Sequence, residues 1–391
     1  MARLDIAILG AGIAGLAAAL FLGRAGHAVT LFDQFEAPKP LGSGLILQPT
    51  GQAVMRRLGL DGAIGHLAAP IHRLHGVDAG SGRVVLDVRY AALSASRSGL
   101  GVHRGGLFST LFDAVLAEGI AIETRSRAVD LDACADGVRV AFAGGRRSAR
   151  FDLAIDATGA RSPLTGRALR RTRFRELDYG ALWASLDWRD GFASDALSQR
   201  YERASVMIGV LPIGRVDSGA QRQAAFFWSV KPADYPALRA SGLAALKRRI
   251  VGLWPQTAPL LDQIGDWEAL TLARYGHHTL PVPAGRGIAF IGDSAHSTSP
   301  QLGQGANMAL LDAAALADAM AAFSGIDQAL ADYVRRRRFH VGLYQTLSYM
   351  LTPFYQSDSH ALPWLRDRVV APLSRLPPAQ RILAAMVAGG W

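Results

Sequence analysis

The chain has 391 residues, half of them apolar and 19% charged, which suits two packed domains with a large core and excludes a disordered segment. Its net charge of +10 is carried almost wholly by Arg, with Lys only at positions 39, 231 and 247; no basic stripe is interleaved with aromatics, which argues against nucleic acid as a partner. Cys134 is the single cysteine and the ten histidines show neither HxxxH nor HExxH spacing, so neither a disulfide framework nor a metal site is expected.

Leu4 to Leu9 reads as a short buried strand. It contains Asp5 and runs straight into Gly10-Ala11-Gly12-Ile13-Ala14-Gly15 rather than a cleavage site, so it is not read as a signal peptide. Leu16 to Leu22 continues as an Ala/Leu-rich helix, stopped at Arg24 well short of a bilayer's thickness. A second strand, Ala28 to Phe32, ends at Asp33. Together these form a strand–turn–helix–strand unit with GxGxxG at its turn and a carboxylate about twenty residues on. Gly10 serves the tight turn, Gly12 the approach of a pyrophosphate, and Gly15 the packing of helix on strand. The helix N-terminus offers free N–H groups to phosphate, and Asp33 offers acceptors to a ribose diol. The unit predicts dinucleotide binding without separating FAD from NAD. The protein is expected to be soluble and cytoplasmic.

Asp152 to Ser162 carries Ala157-Thr158-Gly159, a run found at strand ends of FAD-binding Rossmann units. Between Tyr179 and Tyr275 the segments Ala181–Ala184, Val206–Gly209 and Ala225–Trp228 read as strands. The adjacent His277 and His278 fall on opposite faces of a strand. Gly287 to Ile291 is a further strand, followed by Gly292-Asp293-Ser294-Ala295-His296-Ser297-Thr298-Ser299-Pro300-Gln301-Leu302-Gly303-Gln304-Gly305-Ala306-Asn307 and an Ala/Leu helix from Met308 to Phe323. Asp293 at a strand end can accept hydrogen bonds from ribityl hydroxyls. The Gly303-Gln304-Gly305 turn presents N–H donors to the negative charge of a reduced flavin. After a basic run at Arg335–Arg338, Tyr344, Leu347, Met350, Leu351, Phe354 and Tyr355 recur at helical spacing, interrupted by Pro353, and apolar character continues to Trp391.

The Gly292–Asn307 stretch resembles the GD motif of the group A flavoprotein monooxygenases, the para-hydroxybenzoate hydroxylase type, and the resemblance extends over residues 4 to 340. It implies an α/β fold: a discontinuous Rossmann-type FAD-binding domain (1–175 with 280–340), an inserted β-sheet substrate domain (176–279, with a contribution from 70–100) and a helical C-terminal region (341–391). Gly42-Ser43-Gly44-Leu45-Ile46-Leu47-Gln48-Pro49 is similar to the segment that passes beside the flavin ring, Arg104 matches an FAD-contacting arginine, and Val129 would lie near the adenine. The cofactor residues expected are therefore Gly10, Gly12, Ile13, Ala14, Gly15, Asp33, Gln34, Arg104, Val129, Thr158, Gly159, Gly292, Asp293, Pro300, Gly303, Gln304, Gly305, Ala306 and Asn307.

Two positions depart from the family pattern. Gln34 stands where a basic residue is frequent. Thr158 stands where the family carries the Asp of an Asp-Gly pair serving FAD and NAD(P)H; Asp156, two residues earlier on the same side of the strand, offers partial compensation. The resemblance implies a monooxygenase that takes electrons from NAD(P)H and, through a flavin C4a-hydroperoxide, transfers oxygen to an aromatic or polyketide-like small molecule. Because the cofactor carries the hard chemistry, no catalytic base is assigned. Pro300 and Leu47 are candidate walls beside the flavin, and Trp183, Met207, Ile208 and Trp228 candidate substrate contacts, each also readable as core. His296, His277 and His278 read as structural or chemical. Two alternatives stay open: an FAD reductase or dehydrogenase without oxygen insertion, and a non-catalytic binding protein on the same fold. The tail packs on the FAD domain or on a second subunit of a homodimer, or makes a weak peripheral membrane contact.

Overall fold

The computed structural model describes residues 3–38, 42–134, 136–170 and 172–390; Lys39 and Trp391 lie outside them. Asp5–Leu9 forms the centre of a six-stranded sheet, paired in parallel with Ala28–Phe32 on one side and Leu153–Asp156 on the other. Ala121–Glu123 and Ile288–Phe290 extend it in parallel, and Ala284–Gly285 closes one edge antiparallel. Such a sheet is covered on both faces, and its central strands accordingly read as mainly apolar runs, Ile6–Leu9 and Leu153–Ile155 among them. The helix Ile13–Arg24 crosses between the first two strands with Ala14 to Leu20 and Leu22 all buried. Its small Ala side chains let the helix Gly305–Ala322 pack directly against it.

The second sheet has seven strands in the order Thr271–Ala273, Gly180–Asp187, Gln223–Val230, Val206–Gly214, Ala196–Glu202, Arg73–Asp78 and Val84–Arg89. Thus the 70–100 segment supplies two of its strands. Side chains alternate across this sheet with period two. Leu182, Ala184, Ile208, Val210, Phe226 and Trp228 all fall on one face, where Leu246 and Ile250 of the helix Leu243–Leu253 cover them. Trp183, Met207, Phe227 and Tyr201 fall on the other. The registers confirm the split: Ile208 pairs with Trp228, Trp183 with Phe227, and Met207 with Tyr201.

This corrects two of the expected substrate contacts. Ile208 and Trp228 are sealed under helices on the face turned away from the nucleotide domain. Phe227, not singled out from the sequence, lies on the opposite face with Trp183 and Met207. It lies across Gly209, where an added Cβ would stand 1.9 Å from the ring, and packs 4.7 Å from Trp183 between ring centroids.

The helix Ile326–Tyr355 runs 30 residues without a break, straight through residue 341, where the tail was expected to begin. Pro353 does not interrupt it. It sits in the last turn, where its missing N–H forfeits a single hydrogen bond, and the helix ends at Gln356 with φ −140° and ψ 87°. Tyr344 is buried from this helix and Leu347 and Leu351 partly so, whereas Met350, Trp364, Val369, Val370 and Leu373 are exposed. The last helix, Pro377–Ala388, packs back on the body, where Tyr344 Oη donates to Met386 O at 2.8 Å. Among the described residues no helix is long and apolar enough to cross a membrane.

The face assignment is testable. Trp228→Ala opens a cavity in a sealed core and is expected to cost about 3–5 kcal/mol in chemical denaturation, with FAD affinity unchanged. A loss of cofactor or substrate affinity without loss of stability would contradict the placement.

Candidate functional site

At the first turn, Gly10 has φ +105° and a Cβ there would sit 2.4 Å from Ala157 O, while a Cβ on Gly15 would sit 1.9 Å from Gly10 O. Both glycines are demanded by the protein's own backbone. Gly12 differs, because a Cβ there meets no protein atom within 4 Å. The helix that follows has no acidic residue in its first turn and no side-chain cap, so its amino end, with Ile13 and Ala14, is left for an anion. Asp33 accepts from Ala11 N at 2.7 Å and Phe35 N at 3.0 Å, which fixes the turn against the second strand. Gln34 is exposed, and Val129 is exposed on Ala128–Ala133.

The strand Gly44–Leu47 pairs antiparallel with Gly99–His103. Arg104 opens the next helix, its N–H donating to Ser43 O at 2.9 Å. Its side chain lies against Gly42, where a Cβ would stand 2.7 Å from Arg104 Cδ. His103 caps that helix by accepting from Gly105 N at 3.0 Å. Leu47 corrects an expectation. Alternation on this short strand sends Leu45 and Leu47 into the nucleotide-domain core, Leu47 fully buried, and turns Ile46 toward Ile213 and Ala225 of the second sheet. Leu47 is therefore turned away from the second sheet, and Ile46 is the residue of this strand that meets it.

The Gly292 turn has φ +63°, and its N–H donates to Asp312 Oδ2 at 2.8 Å. The same oxygen accepts from His296 Nε2 at 2.6 Å, and Asp312 Oδ1 accepts from Arg337 Nε at 2.6 Å. Burial alone would raise the pKa of Asp312, but His296 and Arg337 overcome it and hold the carboxyl at about 2. Arg337 Nη1 donates to His340 Nδ1 at 3.3 Å, and His340 Nε2 donates to Gly389 O at 3.4 Å. His296 is thus part of the scaffold. His278 and His277 are held as well, to Ser294 O at 3.2 Å and Gln345 Oε1 at 3.4 Å.

Asp293 keeps an accessible carboxylate, yet protein crowds it on its other sides; this desolvation raises its pKa against the opposing pull of His296 and Arg104. Downstream, Pro300 is half-buried and Gly303 has φ +61°. Asn307 joins this turn to the Gly44–Leu47 strand, its Oδ1 accepting from Gln48 N at 2.8 Å and its Nδ2 donating to Ile46 O and Gly303 O, each at 3.0 Å. Gln304 spends its Nε2 on Val387 O at 2.6 Å, which leaves its main chain, with Gly305 and Ala306, to face a ligand.

Asp156 does not compensate for Thr158. Its carboxylate is fully buried at the strand end and accepts from Thr158 N at 2.9 Å, from Thr158 Oγ1 at 2.7 Å and from Ser162 Oγ. Burial raises its pKa, and these hydrogen bonds oppose the rise. The carboxylate is consumed in shaping the turn at Gly159, which has φ +95°. Sequence reading did not single out Asp312, Arg337 or Gln48. The available signal for the first was an acid in the middle of an Ala/Leu helix, two turns past the glycine turn.

Residues 3–342 match the model of a family described as "FAD binding domain". The chain belongs to this family. Among curated relatives, the putative 2-heptyl-3-hydroxy-4(1H)-quinolone synthase AqdB1 of Rhodococcus erythropolis is 27% identical over 88% of this chain and 86% of its own. The 6-hydroxynicotinate 3-monooxygenase of Bordetella bronchiseptica is 28% identical over 80% of this chain and 81% of its own. In fold, Klebsiella pneumoniae HpxO complexed with FAD and uric acid superposes with a TM-score of 0.82 at 22% identity, covering 98% of this chain and 97% of that one. The group A resemblance of the motifs is confirmed, and the chain is an FAD-dependent oxidoreductase.

The residues present fit FAD. Gly12, with open space at its Cβ position, and the bare helix end would receive the pyrophosphate. Asp33 can receive the ribose, Asp293 the ribityl chain, and the Gly303–Ala306 backbone the flavin edge.

The two helix-start glycines should separate folding from binding. Gly15→Ala is expected to unfold the domain or lower its melting temperature sharply, because Gly10 O cannot yield. Gly12→Ala, at φ −77°, should fold normally and lose at least tenfold in FAD affinity by fluorescence titration. Equal melting temperatures for the two variants would refute the distinction.

A pH dependence follows too. His340 is held at about 4 by burial and by Arg337, below its ordinary 6.5, so the unfolded chain takes up that proton first and stability falls as pH drops from about 6.5 to 4. Asp312, at about 2 against an ordinary 3.8, contributes fully above about 4 and loses its contribution as pH falls towards 2. Urea midpoints measured against pH should show both limbs, and His340→Gln should flatten only the upper one.

Proposed function

We propose that the protein is an FAD-dependent monooxygenase that hydroxylates a small aromatic compound, with NAD(P)H as electron donor and molecular oxygen as co-substrate, acting in the cytoplasm as a monomer or homodimer. The observation that carries this reading is an adjacency. A Cβ on Gly44 would stand 2.1 Å from Ile213 and 2.8 Å from Ala225, so the flavin-edge strand abuts the very sheet face that bears Trp183, Met207 and Phe227. A redox cofactor seated on the glycine turns would thus present its ring to an apolar, aromatic wall. The relatives named for quinolone, hydroxynicotinate and urate chemistry support an aromatic substrate.

Bound FAD, once reduced, activates oxygen for transfer to an electron-rich ring. The protein's contribution is placement and dryness. Trp183 is tied by its Nε1 to Tyr275 Oη at 2.6 Å and stands over Phe227. Burial pushes Tyr275 up to about 12, so it stays protonated and serves as an acceptor for Trp183, not as a base. A wall without an ionised side chain excludes water from the reacting centre. The main chain at Gly303–Ala306 supplies donors where negative charge develops on the bound ring.

A reductase or dehydrogenase on the same fold draws support from Asp156, since its carboxylate, two residues before Thr158, is consumed by Thr158 and Ser162. Labelled dioxygen separates the two readings. With hydroxylated quinolones, pyridines and benzoates as candidate substrates, NAD(P)H-dependent turnover is expected to place one labelled oxygen atom in the product. Turnover that leaves the product unlabelled would establish the reductase instead.

A further inference from the structure

We infer that the tail supplies a second recognition element, an oxyanion subsite built on Arg366 with Gln356 nearby, which selects aromatic substrates bearing an ionised oxygen. It rests on the reading above that the Trp183–Met207–Phe227 face receives the substrate. Both residues lie beyond position 342, where the family match ends.

Arg366 is only 1% exposed. Its guanidinium carbon lies 5.0 Å from the Tyr201 ring centre and 5.4 Å from that of Tyr355, and the two rings are 5.5 Å apart. Two faces of π density hold the cation in place. Nε donates to Asp367 Oδ1 at 2.6 Å, a carboxylate that keeps 19% exposure, and Nη1 donates to Phe354 O at 3.0 Å. Among the described residues Nη2 is buried with no partner, and so are both amide atoms of Gln356, which is 5% exposed. Unmet donors on a buried cation are expensive, and native proteins keep them where something else completes the bond.

The surroundings say what completes it. Tyr201 is the cross-strand partner of Met207 and clusters with Met207 and Phe227, and Tyr355 packs on the same group. The guanidinium therefore stands at the margin of the apolar wall, while Asp367 holds its solvent side. The strand Val206–Gly214 measures the span: Ile213 meets the flavin-edge strand and Met207 meets Tyr201. Six residues at about 3.3 Å each put roughly 20 Å between the flavin-edge strand and Tyr201, the combined length of a flavin edge and an aromatic ring in line whose acidic oxygen would reach Nη2. An oxyanion gains charge-assisted bonds there that a neutral group of the same shape does not.

The test uses the FAD-loaded protein and equilibrium dialysis against two probe pairs, benzoate with benzamide, and 4-nitrophenolate with 4-nitroanisole. The first pair reads a carboxylate, the second a ring oxyanion. At least one anion is expected to bind tenfold or more tightly than its neutral partner. Arg366→Gln should bring that ratio within twofold while leaving FAD affinity unchanged, Arg366→Lys should retain an intermediate ratio, and Gln356→Leu should lower it by about threefold. Ratios near one for both pairs in the unmodified protein overturn the proposal, as does a ratio that survives Arg366→Gln. If Arg366→Gln does not fold, an undiminished ratio in both Arg366→Lys and Gln356→Leu overturns it equally. The ratio is read without turnover, so failure of labelled oxygen to enter product would sink the monooxygenase reading and leave this measurement intact.

Discussion

The carboxylate of Asp312 accepts three hydrogen bonds at once, from the Gly292 main chain, from His296 and from Arg337, and the cofactor site is assembled around it. One acid inside a helix sets the glycine turn that points Asp293 outward. It anchors the histidine that follows, and through Arg337 it draws in the long helix. Such a buried ionic cluster adds little net stability compared with apolar packing, yet removing one member leaves an uncompensated charge at a cost of about 3–5 kcal/mol. Its contribution is to register: helix, turn and tail can dock in one arrangement only. Asn307 does the same work on the other side, joining the Gly303 turn to the strand Gly44–Leu47 through neutral hydrogen bonds.

Local signals made the nucleotide domain legible. The strand Ala28–Phe32 has the bounds its apolar run implied, and Gly10 and Gly15 are glycine for reasons of backbone contact that their spacing already expressed. The substrate face was not legible to the same degree. Trp228 and Phe227 are neighbouring aromatic residues, and only the pairing register and the covering helix Leu243–Leu253 decide which of them lies on the face turned to the Gly44–Leu47 strand. Leu47 fails similarly, because a four-residue strand buried on both sides carries no polar residue to mark its orientation. Asp156 shows a further limit. Its position on the strand was readable, but the hydrogen bonds that consume it come from Thr158 and Ser162 around a turn, and loop geometry is not encoded in strand periodicity.

The tail illustrates how composition misleads where helices lie at a surface. Apolar residues recur through it, yet Trp364, Val369 and Leu373 are exposed while an arginine, Arg366, is buried. Aromatic rings rather than aliphatic side chains make that inversion possible, since a guanidinium is drawn to the π faces of Tyr201 and Tyr355.

The helix Ile326–Tyr355 has a mechanical consequence. At about 1.5 Å per residue its 30 residues span roughly 45 Å. Near one end Tyr333 is bonded to Phe290 O in the nucleotide sheet at 2.8 Å, and at the other Tyr355 rests against the substrate sheet. A rod fastened at both ends acts as a strut, so the two sheets cannot hinge apart without bending it. The short helices beyond Gln356 are fastened to the same sheet, Arg366 against the Tyr201 ring and Arg375 Nη2 to Val84 O at 3.1 Å, so a chain cut at residue 342 would lose the far half of the strut and the cover it carries.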